Sequence, residues 1–211
     1  MAGVPGIDIR TLQRAEVPSA VEMLARAFHD DPGGLIVEPD EDLRPTALRA
    51  LFAPIVRHAE TLGHVAAAAD PDGRIVGVAT FLPPGHDTPD EAEMVAAGLL
   101  DAVAAVPEAA ERMGPMVEFL DAQHELAIEG PHWRLAFFGV EPTLQGGGIG
   151  KDLIATGHAA ADAAGERIYL ETFTGRNVAW YERRGYRVVI DGVVPGTDVP
   201  VWGLIRGPLG V

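Results

Sequence analysis

The stretch Gln145-Gly146-Gly147-Gly148-Ile149-Gly150-Lys151 constrains this chain more than any other. It follows the apolar run Leu135-Ala136-Phe137-Phe138-Gly139-Val140. It opens a segment whose pattern predicts a helix from Gly148 to about Ala164, stopped by Gly165. Apolar strand, glycine-rich turn and helix N-terminus together form an anion site. Consecutive backbone N–H groups point out of the turn, and the helix dipole adds positive potential there. Glycine lets phosphates reach the backbone and permits positive φ.

The glycine spacing excludes the two commonest phosphate loops. A P-loop needs glycine five residues before its Gly-Lys pair and Ser or Thr after it. Those positions hold Gln145 and Asp152. The dinucleotide pattern G-x-G-x-x-G needs glycine at 151 or 153, where the chain has Lys151 and Leu153. What fits is Gln-x-x-Gly-x-Gly after a strand. A second block lies downstream. Arg167-Ile168-Tyr169-Leu170-Glu171-Thr172 is β-rich, and Asn177-Val178-Ala179-Trp180-Tyr181-Glu182-Arg183-Arg184-Gly185-Tyr186 follows it. In order and spacing, residues 133 to 190 resemble the GNAT superfamily of N-acetyltransferases. Phe138-Gly139-Val140, Leu170-Glu171-Thr172, Arg176-Asn177 and Tyr181-Glu182-Arg183 look like the puromycin N-acetyltransferase branch. Val17-Pro18, Ala27-Phe28 and Pro32 extend that likeness toward the N-terminus.

The resemblance implies transfer of an acetyl group from acetyl-CoA to an amine. In that reading Gln145, Gly146, Gly147, Gly148, Ile149, Gly150 and Lys151 hold the pyrophosphate. Phe138, Gly139 and Val140 meet the pantetheine amides like an added strand. The N–H at or next to Val140 faces the acetyl oxygen. Gly139 marks a bulge, a close backbone approach or simple twist relief. Asn177 bonds the pantetheine arm or anchors the start of its helix. Tyr181 protonates the leaving sulfur, or only packs between helix and sheet. Glu171 interrupts an apolar strand, and a buried carboxylate needs a reason. It is a base, an amine anchor, or the ion-pair partner of a nearby arginine. Phe28 and Asp31 fall where the family's helical flap lines the acceptor pocket, although Asp31 also suits helix termination. His132 and Trp133 are placed at the same mouth, and Trp133 suits a core equally well.

The expected acceptor is a small-molecule amine. The rival readings are a protein N-terminus or lysine as acceptor, and a coenzyme A-binding module without catalysis. A binding module needs only the loop, so retention of Tyr181 argues against the last. The long helical segment from 88 to 130 favours a covered pocket over an open peptide groove.

Composition excludes other classes. The chain has no cysteine, which removes disulfide scaffolds, Cys-rich zinc sites and cysteine acyl-enzymes. Ser19 is the only serine, with no G-x-S-x-G around it; its place after Pro18 suggests a helix cap. The seven histidines show no H-x-x-x-H pair, so no metal is expected. A net charge of −15 disfavours nucleic acid. The same charge attracts amines, or serves solubility alone. No apolar run approaches the ~20 residues of a membrane span. Met1–Gly6 lacks the basic region and apolar run of a signal peptide. A cytoplasmic protein is expected, and a homodimer is compatible with it.

The 211 residues are read as one domain, 1–211, and the resemblance implies an acetyltransferase of α/β class with the GNAT family's mixed, mostly antiparallel sheet. Strands are expected at 7–12, 65–69, 74–82, 133–140, 167–172, 186–190 and 199–206. Residues 191–198 make a connection. Helices are expected at 16–29 and 43–62, the second kinked at Pro54, with a break at Asp30–Gly34. Between the third and fourth strands, residues 88–130 read as two or three helices with breaks at Pro107 and Gly114-Pro115.

Overall fold

The computed structural model describes residues 6–208. The segment Met1–Gly6, where no signal peptide is expected, lies outside the described residues except for Gly6. The chain builds one sheet from seven strands: β1 (Asp8–Thr11), β2 (Val65–Ala69), β3 (Ile75–Leu82), β4 (His132–Val140), β5 (Arg167–Thr172), β6 (Tyr186–Val193) and β7 (Pro200–Arg206). Their order is β1-β2-β3-β4-β5-β7-β6. Only β4 and β5 run parallel; the other neighbours are antiparallel. This is the mixed, mostly antiparallel sheet that the sequence predicts.

Eight helices flank it: α1 (Val17–Ala27), α2 (Pro32–Val37), α3 (Arg44–Thr61), α4 (Glu91–Ala96), α5 (Leu99–Ala105), α6 (Pro107–Ala127), α7 (Ile149–Ala164) and α8 (Gly175–Glu182). Leu24, Leu48, Val56 and Met116 from α1, α3 and α6 build the core on one face. Leu153, Ile154 and Tyr181 from α7 and α8 build it on the other.

The helical segment between β3 and β4 forms as expected, but its breaks differ. Gly98, at φ +97°, separates α4 from α5. Pro107 starts α6, at a first-turn position where its missing N–H breaks no bond. Gly114-Pro115 does not interrupt α6. An internal proline costs about 3 kcal/mol, and burial of Ala109, Met116 and His124 offsets it. Ser19 caps nothing. It lies exposed inside α1, and the preceding turn closes by Glu16 accepting from the Gln13 N–H at 3.0 Å. Asp30–Gly34 ends α1 but does not stay a loop. Asp31 accepts the Gly33 N–H at 2.9 Å and caps α2. β6 runs on to Val193, because an edge strand tolerates Asp191 and Gly192.

Helix α7 lies unusually close to β3, and glycines make that possible. A Cβ on Gly77 would sit 2.7 Å from Leu153 Cδ1, and one on Gly157 would sit 2.1 Å from the Phe81 ring. Phe81 is 2% exposed and has nowhere to go. Gly157→Ala is therefore expected to destabilise the fold by about 1–3 kcal/mol. Urea unfolding should show a lower midpoint at an unchanged slope. An unchanged midpoint would mean that α7 does not need this approach.

Candidate active site

The site begins where two strands part. β4 and β5 pair only through His132–Arg167, Trp133–Ile168 and Arg134–Tyr169. Beyond that, β4 stays with β3 as far as Val140, and β5 stays with β7 as far as Thr172. Each outer edge is held, so the inner edges diverge into a wedge. It opens at the C-terminal ends of both strands, where α/β sheets receive ligands.

A bulge sets what faces the wedge. Thr80 pairs with Phe137 and Phe81 with Leu135, which leaves Ala136 as the extra residue. The extra residue reverses the strand's alternation. Before it, Trp133 and Leu135 pack toward α7; after it, Phe138 does. Phe137 packs with α1 and α3. The bulge therefore lies at Ala136 and not at Gly139. Gly139 answers instead to a close approach: its Cβ would lie 2.9 Å from Ala27 Cβ.

The Glu141 N–H donates to the Val76 carbonyl at 2.8 Å. Strand alternation then turns the N–H and C=O of Phe138 and Val140 toward the wedge, and those of Gly139 toward β3. The Val140 carbonyl is already taken by the Gln145 side chain at 3.2 Å. Gln145 thus ties the turn to the end of β4.

In the turn, Gly146 and Gly148 hold φ of +83° and +95°, which side chains resist. Gly150 has ordinary φ, but its Cβ would lie 3.1 Å from Phe138 Cζ. The Ile149 side chain is buried in the core. Ile149 and Gly150 open α7, where N–H groups have no intrahelical acceptor. Lys151 is exposed beside them. Below the turn, Glu141 is buried and receives Arg26 at 2.9 Å and Arg74 at 3.0 Å. The sequence gives no sign of this clamp, because the partners lie 115 and 67 residues away.

Tyr181 stands on the α8 side. Its ring is buried beside Trp180 at 5.2 Å, Tyr186 at 5.4 Å and Phe138 at 6.4 Å. The Arg184 guanidinium covers Trp180 at 3.4 Å. Burial raises the Tyr181 phenol above its ordinary value. The Asp31 charge pushes the same way, and Arg184 opposes. Asp31 is itself pushed up by burial, against its Gly33 hydrogen bond and the Arg176 charge. Asp31 is therefore both a helix cap and a neighbour of Tyr181. Phe28 lies 3.7 Å from where a Gly139 Cβ would be, and Gly33 presses on Phe173. The α1–α2 corner thus closes one side of the wedge. The Asn177 amide donates to Thr172 Oγ1 at 3.1 Å and ties α8 to the end of β5.

Glu171 has a partner. Its Oε1 accepts from Arg134 at 3.1 Å, and Arg134 also binds Asp121 of α6 at 3.1 Å. Two carboxylates share one guanidinium. Burial pushes the Glu171 carboxyl up, with Arg134 opposing. The Tyr169 phenol is the carboxylate's other neighbour and also favours its charged form.

His132 and Trp133 do not reach the wedge. They sit at the paired start of β4, about 20 Å of strand from Gly139. Trp133 Nε1 donates to Glu166 at 2.8 Å, and its ring meets His64 edge-on at 4.7 Å. His132 meets His124 and Asp87. Histidines scattered in sequence are thus gathered in space, as His58–His86–Glu93 and Asp87–His124–His132.

A seven-stranded α/β fold with a splayed parallel pair, a glycine turn and a tyrosine on the facing helix defines an acyltransferase architecture. The acetyltransferase (GNAT) family model matches residues 21–186, and the chain belongs to that family. It is similar to a structure described as histone acetyltransferase HPA2 and related acetyltransferase from Corynebacterium glutamicum, at 27% identity, 98% of each chain and a TM-score of 0.70. Arylalkylamine N-acetyltransferase 2 from Aedes aegypti matches at 15% identity over 95% of this chain and 98% of that one, with a TM-score of 0.63. The Drosophila melanogaster polyamine N-acetyltransferase matches at 18% identity over 95% and 99%, with a TM-score of 0.59. The last two show the fold alone. No helix among the described residues is long and apolar enough to cross a membrane.

Proposed function

We propose that this chain moves the acetyl group of acetyl-CoA to the amino group of a small molecule, by direct attack of the amine on the thioester. One observation carries the reading: a single wedge gathers free strand backbone, unpaired helix N–H groups and a phenol kept protonated. The turn from Gly146 to Lys151 binds the pyrophosphate through the N–H groups of Ile149, Gly150 and their neighbours. The N–H and C=O of Phe138 pair with the pantetheine arm. The Val140 N–H receives the oxyanion. Gln145 and Asn177 position the turn and α8. The amine nitrogen forms a bond to the carbonyl carbon as the C–S bond breaks. Tyr181 hands its proton to the sulfur, and Glu171 takes a proton from the amine, directly or through water. Phe28 and Asp31 line the acceptor side.

A small acceptor is supported by the likeness to the puromycin branch and by the names of the insect relatives. Asp121 of α6 reaches Arg134 beside the wedge, so the inserted helices cover its acceptor end. A protein acceptor is the second reading, favoured by the name of the Corynebacterium structure. One assay tests all of this: thiol release from acetyl-CoA with a panel of small amines and of peptides with free N-termini or lysines. Release with peptides alone would move the acceptor to protein. No release with any amine, while acetyl-CoA still stabilises the fold, would leave a binding module.

Gly148→Asp should abolish acetyl-CoA binding. It puts a β-carbon at φ +95° and a negative charge against the phosphates. Acetyl-CoA at ~100 times its dissociation constant should stabilise the native chain by about 2.7 kcal/mol. Thermal melts should lose that shift in the variant. A preserved shift would move the pyrophosphate elsewhere.

A further inference from the structure

We propose that Asp87, His124 and His132 form a binding site for one divalent transition-metal ion, of which zinc fits best, that staples the inserted helices to the sheet. The three come from different places: the loop between β3 and α4, the end of α6, and the first residue of β4. His124 and His132 are 3% and 5% exposed. Their Nε2 atoms approach to 2.6 Å, and His132 Nε2 lies 3.4 Å from Asp87 Oδ2.

The hydrogen bonds around the rings decide what belongs between them. His132 Nδ1 lies 2.7 Å from the Gly130 carbonyl, which can only accept. In the neutral ring, the form that ligates a metal, Nδ1 therefore carries the proton and Nε2 presents a lone pair. His124 Nε2 must then donate to make any bond. The Asp87 carboxylate is left facing a lone pair, a repulsive contact. One proton cannot join three acceptors, whereas one cation can.

The surroundings have the form of a ligand's outer shell. The Gly130 carbonyl fixes the tautomer and direction of His132. The Gly85 N–H holds Asp87 Oδ1 at 3.1 Å and leaves Oδ2 aimed inward. The His124 ring stacks on Tyr169 at 4.5 Å and 21°. Two imidazoles and a carboxylate suit zinc, with Zn–N near ~2.0–2.1 Å and water as a fourth ligand. Tetrahedral placement puts the nitrogens about 3.3 Å apart, so each ring must withdraw by roughly 0.4 Å. Asp87, 21% exposed, gives the way in. The metal is structural: it lies at the paired start of β4, away from the wedge.

The second cluster, His58–His86–Glu93, supplies the control. The experiment titrates chelator-treated, full-length protein with zinc chloride by calorimetry, and with cobalt followed by its visible ligand-field bands. Wild type should take one zinc per chain and melt higher with it. Asp87→Asn should weaken zinc binding by about tenfold or more and abolish the cobalt bands. Its metal-free melt and circular dichroism should match wild type, which separates lost ligation from lost folding. His132→Gln should behave likewise if it folds; if it does not, Asp87→Asn alone decides. Glu93→Gln should leave zinc binding unchanged. The proposal is overturned if metal-free wild type binds no zinc at millimolar concentration. It is equally overturned if Asp87→Asn binds zinc as wild type does, or if Glu93→Gln is the variant that loses it.

Discussion

Tyr181→Phe should lower turnover by about 10²–10⁴-fold and leave acetyl-CoA affinity nearly intact. The substitution removes one proton and keeps the ring, so the packing against Trp180, Tyr186 and Phe138 survives. The affinity of a phenol for its proton is the crux. Burial and the Asp31 charge both raise it. A phenol above its ordinary ~10 is a weak acid toward a thiolate in water. In the wedge the thiolate is desolvated too, and its own proton affinity rises with it. The sign for pH follows. An acid must be protonated to act, so a raised pKa keeps it competent through neutral pH. Loss of turnover from Tyr181 ionisation should begin only above the ordinary phenol range. Asp31→Asn keeps a good helix cap and removes the charge, so it should bring that loss to lower pH. If Tyr181→Phe turns over normally when chemistry is rate-limiting, the residue is packing only.

What the sequence made legible is what local chemistry determines. The turn from Gln145 to Lys151 is readable because its strand, glycines and helix start are contiguous. Gly139 is a different case. A glycine in a strand announces a constraint, but α1 supplies it, through Ala27 and Leu24. The bulge that governs the wedge falls at Ala136, a residue with no signature, because only the pairing with β3 reveals it. His132 and Trp133 do not reach the mouth, because strand direction puts them at the paired start of β4. Glu171 stood out as a charge in an apolar strand. Its partner Arg134 lies 37 residues earlier, and the pairing is visible only when the two strands lie side by side. Asp31, the cap of α2, brings its charge within reach of Tyr181 and Arg176 on α8, a meeting no spacing encodes. The two histidine clusters are invisible for the same reason. Each is assembled from elements that separate loops carry to one place.

Glu171→Gln should slow acetyl transfer by about 10²-fold or more and reshape its pH dependence. The amine must be neutral to attack, and a free alkylamine holds its proton up to ~10.4. With Glu171 present, activity should rise with pH and level off well below that value. Burial raises the Glu171 carboxyl, which brings its proton affinity nearer to the task, while Arg134 keeps Oε1 occupied. The Tyr169 phenol is the carboxylate's other neighbour, so the amine or a bridging water must meet it beside these two partners. Glutamine keeps the shape and cannot take the proton, so the rising limb should move toward the pKa of the free amine. Two other outcomes are distinct. If Glu171 only anchors the ammonium, KM should rise and the limb should stay in place. If it only completes the Asp121–Arg134–Glu171 trio, the variant should melt earlier, because Arg134 loses a buried partner. The folded enzyme should then keep a normal profile. That third result would remove Glu171 from the reaction.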